Sequence, residues 1–209
     1  TLSSGNVSFS GSSLYGLSNA VDSHMMKNSE WGAVAYLSHS IYGKNGQIRI
    51  NNYYSGGLYK TGCGSNSDNS ATSSTCDIVY GEASNYAQST TGNISGIFDM
   101  AGAAYDRVMG NYSSKAGNSG FGTYPPSIYY DNYTVLINGC TLTNCGGHSL
   151  HETQGWYSDL VNLVNSTYPW MVRGGSYDVG SETGAFNFGR NNGSSTAKST
   201  ARATLILYD

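Results

Sequence analysis

Apolar residues in this chain come in short tokens broken by Gly, Ser, Asn and Thr, and that interruption limits its fold more than any motif does. Only residues 18–43, "SNAVDSHMMKNSEWGAVAYLSHSIYG", keep a helical period over several turns, through Val21, Met25, Trp31, Val34 and Leu37. Ser18 or Asn19 is placed to cap this helix, Gly43 to end it, and Gly32 to interrupt it. A second helical spacing links Trp156, Leu160, Leu163 and Val164, and one or two further helical turns are expected around Tyr105, Val108 and Met109. Other tokens are strand-length: 133–137 after a Pro125-Pro126 entry, 170–173 before a Gly-Gly turn, and 203–208 at the C-terminal end. The pattern predicts an α+β domain with a small antiparallel sheet, two helices and long ordered loops. Residues 1–17, with Val7 and Phe9 alternating among Ser and Gly, read as an N-terminal strand or linker, and 18–209 as one domain.

Composition narrows the partners. Charged residues are 11% of the chain, against about 25% in ordinary soluble domains. Ten Lys plus Arg oppose thirteen Asp plus Glu without a basic run, which excludes the electrostatic footprint of a nucleic-acid or acidic-membrane binder. Aromatics at 12% and hydrophobics at 38% supply enough apolar area to offset ordering. The longest apolar runs fall well short of the ~20 residues that span a bilayer. Opening at Thr1 rather than Met is expected of a processed or excised product. Cys63, Cys76, Cys140 and Cys145 form two sequence-local pairs in polar loops, which fits disulfides 63–76 and 140–145 and an extracellular setting. Neither spacing suits zinc, and no basic residue or His adjoins any of the four as a catalytic thiol would want.

Catalytic and metal constellations are weak. His148, His151 and Glu152 in "HSLHE" lack the four-residue His spacing of a zincin, so packing or capping is the reading they support. No cofactor is expected and no metal site is diagnosed; calcium stays open as an alternative, with Asp68 beside Asn66 and Asn69, or Asp99 with Asp106, as weak candidates short of the roughly six to eight oxygens usual for the ion. No G-x-S-x-G elbow has a strand-turn-helix context. Trp31, Trp156 and Trp170 read as core. Arg173 reads as a structural arginine meeting a buried carboxylate or carbonyls beside the turn.

Two texts share the C-terminal region. Strand 170–173, anchored by Trp170 and feeding Gly174-Gly175, makes a rigid start. From 176 to 198, Gly180, Gly184, Gly189 and Gly193 recur every four or five residues, and "GAFNFG" places Phe186 and Phe188 on one side with Asn187 on the other. Polar side chains of this stretch are expected to face outward. Tyr, Ser, Asn and Gly are the adaptable vocabulary of recognition loops on rigid scaffolds.

Two motifs carry a resemblance. "GIFDMAGAAYDRVMGNY" resembles the "G-x-(Y/F)-D-M-x-G-N-x-W-E-W" signature of the formylglycine-generating-enzyme-like branch of the C-type-lectin-like fold. Gly96, Phe98, Asp99, Met100 and Gly102 match, while Tyr105 and Asp106 stand where Trp and Glu are usual. "VRGGSY" at 172–177 is similar to that family's "RGGSW". Further stretches resemble variable proteins of gut-type bacteria and their phages whose C-terminal segments are rewritten by diversity-generating retroelements. In "STARATLIL", Arg202 is retained, with Ala201 and Ala203 where an aromatic and Pro are common.

The resemblance implies a C-type-lectin-like domain, not an enzyme, displayed outside a cell or on a virion. Its ligand would be a protein or glycan on a cell surface, bound through variable segment 176–198. Tyr177, Asp178, Val179, Glu182, Thr183, Asn187, Arg190 and Asn191 would form the face, and Trp170, Arg173, Gly174 and Gly175 its scaffold. A pilus, fibre or virion decoration subunit that packs against its own copies is the alternative. Copper oxidase chemistry of the formylglycine-generating type needs C-terminal cysteines, and none follows Cys145.

Overall fold

The computed structural model describes residues 21–51, 83–134, 152–177, 179 and 182–207. The four cysteines, His148, His151, Asp68 and Asp178 lie outside them, as does the 1–17 segment. The described part is α+β, mostly sheet with one α-helix.

Residues Val21–Met25 form β1, not the first turns of a helix. They pair antiparallel with β7, Ala203–Leu207, in the register Val21 to Leu207 through Met25 to Ala203. Their helical spacing coincides with the strand's need for a partner, and the ladder takes the backbone bonds. Helix α1 therefore starts late, at Asn28–His39. Asp131 caps it from another element, accepting the Ser29 N–H at 2.6 Å. Glu30 Oε2 accepts the Lys27 N–H at 2.8 Å and the Thr204 hydroxyl at 2.9 Å, and Oε1 meets His24 Nε2 at 2.9 Å. Burial alone would raise the Glu30 carboxyl; these bonds hold it below its ordinary value. The buried stripe of α1 is Asn28, Trp31, Ala35 and Ser38, while Leu37, expected inside, is exposed.

The central strand is β2, Tyr105–Tyr112, where helical turns were expected. Its edges are claimed by strands far off in sequence. On one edge it pairs antiparallel with β4, Trp170–Arg173, and β4 in turn with β5, Phe188–Asn191. Asp106 and Asn111 are also paired across the opposite edge, which carries β6, Ser199–Ala201, and β3, Asp131–Tyr133, both parallel. The sheet is thus antiparallel at its centre and mixed at its margin. Gly110 keeps β2 close to its neighbours, since a Cβ there would stand 3.0 Å from Asn28 and 3.1 Å from the Met171 sulfur.

No second helix forms at 156–164. After a single 3-10 turn, Trp156–Ser158, the chain runs extended beside β5, with the Phe188 N–H donating to Leu160 O and the Asn162 N–H to Phe188 O. Leu163 and Val164 still reach the core by this route, joining Trp31, Ala35, Met100, Val108, Met171, Phe186 and Phe188. The two motif segments meet at that core's edge. The Gly102 N–H donates to Gly174 O at 2.8 Å, and the Tyr177 N–H to Ala103 O at 2.9 Å. Gly102 has φ +87° and a Cβ on it would lie 2.1 Å from Asn51 O, so this turn requires glycine.

Candidate ligand-binding groove

The segment expected to face outward divides at Phe188. Gly174 and Gly175 both have positive φ and turn the chain inward after β4. Ser176 and Tyr177 are buried, as is every residue of 183–188. The Thr183 hydroxyl donates to Ser176 O at 3.2 Å, the Asn187 amide donates to Glu182 O at 2.8 Å, and the Phe186 N–H donates to Asp159 Oδ2 at 2.8 Å. Tyr177, Thr183 and Asn187 therefore do not form an exposed face, contrary to the expectation for all three and, for Asn187, to the alternation of "GAFNFG". Residues 183–187 form turns rather than a strand, so period two does not apply; the Thr183 hydroxyl and the Asn187 amide N–H close hydrogen bonds inside the protein, while Asn187 Oδ1 is buried without a partner.

From β5 onward the same vocabulary lines a groove of about 630 Å³. Arg190 and Asn191 enter it from β5, Thr196, Ala197 and Lys198 from the approach to β6, and Tyr105 and Tyr168 from outside the segment. Arg190 sits over the Tyr168 ring at 5.3 Å and donates to Leu163 O at 3.2 Å. Lys198 lies over the Tyr177 ring at 5.8 Å, so the buried tyrosine serves the groove as a support. Asn191 Oδ1 accepts from the Gly193 N–H at 2.7 Å and from Arg107 at 3.3 Å. Burial lowers the Arg107 guanidinium. Among the described lining residues the charged groups are Arg190 and Lys198, both cationic. Val179 is half-buried and Glu182 exposed, neither of them among the groove's lining residues. Of the expected face, the structure brings together Arg190 and Asn191 and adds Lys198, Tyr105 and Tyr168, for which composition gave no signal beyond abundance of Tyr.

Trp170 and Arg173, expected as scaffold, both lie in the interior. Trp170 is buried, donates from Nε1 to Ala116 O at 2.8 Å, and stacks on Tyr124 at 5.9 Å. Arg173 is only 1% exposed yet forms no ion pair with a carboxylate among the described residues. Its guanidinium lies 3.7 Å from the Phe188 ring centroid, and burial pushes it down to about 9 against the distant pull of Tyr133 and Asp159. Asp159, which the sequence did not single out, is pushed up to about 6 by burial, opposed by the Phe186 N–H and by Arg173.

Asp106 and Glu152 each have a partner among the described residues. Asp106 pairs with Arg202 at 2.7 Å, and Arg202 also donates to Asp99 O at 2.7 Å. Burial raises the Asp106 carboxyl even so, with Arg202 opposing. Glu152 accepts from the Tyr36 hydroxyl at 3.1 Å. Among the described residues no three His, Cys, Asp or Glu side chains gather as a metal centre, and no helix is long and apolar enough to cross a membrane.

What these elements define is an α+β domain with a largely apolar groove beside its sheet that carries two cationic side chains. No known family model, curated protein or solved structure matches the chain.

Proposed function

We propose that this chain is a ligand-binding protein displayed at a cell or virion surface, a C-type-lectin-like adhesin or receptor-binding domain whose C-terminal segment is diversified by a retroelement. The observation that carries the reading is the groove, half of whose lining residues, Gly189, Arg190, Asn191, Thr196, Ala197 and Lys198, lie inside the segment marked by the sequence resemblance. Support also comes from the "FDMAG" and "RGGSY" motifs meeting through the Gly102 to Gly174 bond, as parts of one structural signature would. Arg190 and Lys198 suit an acidic protein or glycan ligand. No step of catalysis is assigned.

Sequences of sister loci test this. Replacements are expected at Glu182, Arg190, Asn191, Thr196, Ala197 and Lys198, sparing buried Tyr177, Thr183 and Asn187, beside a reverse transcriptase and a near-copy of the C-terminal coding segment. Changes spread evenly along the chain would sink the reading. A pilus, fibre or virion decoration subunit is the second reading, favoured by the exposure of Leu37, Ile41 and Tyr42 at the end of α1.

A further inference from the structure

A second, larger cavity lies on the other side of β4 and β5 and is separate from the groove. It measures about 1160 Å³ and runs between α1, the 127–133 segment, Thr153, and Arg173 with Phe186 and Phe188. Arg173 is its one cationic lining residue among those described. The guanidinium is buried, and its Nε and Nη1 find no hydrogen-bond acceptor among the described residues. A buried cation of this kind is costly to leave unpaired, and a protein that keeps one beside a cavity has a place for an anion. Asn28, on the same wall, leaves Oδ1 without a partner while its amide donates to the Tyr133 hydroxyl at 2.8 Å.

The lining also states which anion. Asp131 and Glu152 stand on the wall, each already hydrogen-bonded, to Ser29 and to Tyr36. One cation against two carboxylates disfavours a dianion such as phosphate and favours a single planar carboxylate, which the guanidinium fork can engage with two parallel bonds. Phe188 stacks on Arg173, and Tyr36, Tyr130, Tyr133 and Phe186 also line the cleft, so the rest of the ligand would be apolar or aromatic. We propose that this cleft binds a small organic monocarboxylate with an apolar body, its carboxylate seated on Arg173. The inference does not rest on the groove or on a C-type-lectin-like origin.

The test is a titration of the full chain, followed by heteronuclear NMR, with phenylacetate, its neutral amide phenylacetamide, and inorganic phosphate. Phenylacetate is expected to saturate and to shift the Arg173 Nε–H resonance, with the amide and phosphate weaker by at least about tenfold. Arg173→Lys, which keeps charge and loses the fork, should weaken phenylacetate about tenfold. Because altering a buried arginine also risks the fold, Gly32→Leu serves as the second variant. Gly32 lines the cleft from α1, and nothing lies within 4 Å of the Cβ it lacks, so a leucine there has room at its Cβ and takes up cavity space while leaving Arg173 itself unchanged. It should abolish binding with Tm unchanged or raised. Lys198→Ala, in the groove, should leave phenylacetate binding as it is. No saturation below about 10 mM, equal binding of the amide or of phosphate, or wild-type binding by Gly32→Leu would each overturn the proposal.

Discussion

Residues 176–188 and 189–199 are adjacent, share one vocabulary of Gly, Ser, Asn, Thr and Tyr, and end in opposite environments. In the first, Tyr177, Thr183 and Asn187 are enclosed, and the Tyr177 N–H is tied to Ala103 O and the Asn187 N–H to Gly184 O. In the second, Arg190, Asn191 and Lys198 line open space. The difference lies in what each half packs against. The first crosses Asp159 and the Trp31 indole, which donates to Ala185 O at 3.2 Å; the second runs beyond the core along the start of β2. Small polar residues are compatible with burial when the enclosing chain supplies partners, so composition alone does not mark a surface.

The strongest way to break this comparison is at its dividing residue. Phe188→Ala should cost about 3–5 kcal/mol by urea denaturation, because it opens a core cavity and strips the ring from Arg173. A loss below about 1 kcal/mol would mean that the first half is not sewn into the core. Next comes pH. Asp159 is held up at about 6, so the folded chain binds its proton more tightly than the unfolded one. That contribution is complete below about pH 4 and is lost as pH rises through about 6, an effect of about 3 kcal/mol. Burial at Asp106 acts in the same sense. Denaturation at pH 4 and pH 7 should therefore show a smaller difference for Asp159→Asn than for the parent chain, and an unchanged difference would remove Asp159 from the buried half.

Smaller effects sharpen the boundary. Asn187→Ala loses an amide that donates to Glu182 O and should cost about 1–2 kcal/mol in the same assay. Thr196→Ala, in the open half, should stay within about 0.5 kcal/mol of the parent. Equal costs at both positions would erase the distinction and return the whole segment to a single role.

Legibility followed locality. Strands β4 and β7 were read nearly to the residue, since Trp170 to Arg173 ends on Gly-Gly and Ala203 to Leu207 is a compact apolar run. The helix at Trp31 was read too, but its start was placed too early. Val21 and Met25 fit a helical stripe by spacing, and the partner that makes them a strand lies at the other end of the chain. Leu160, Leu163 and Val164 failed for the same reason, because β5 decides their backbone bonding. At the candidate site, Arg190 and Asn191 were legible as polar positions just past an aromatic pair. The burial of Thr183 and Asn187 was not, being set by Asp159 and by the turn geometry of 183–187. Arg173 is legible as a scaffold arginine, but only the folded chain shows that its guanidinium meets a ring, where a buried carboxylate or carbonyls were the expectation.

The β1 and β7 pairing has a mechanical side. Val21 and Leu207 face each other at the same end of an antiparallel ladder, so the chain enters and leaves the described fold at one point. Pulled apart from that point, the two strands would peel one residue pair at a time. Held by either end alone, the domain hangs as a pendant, and no load passes through β2, β4 or the groove.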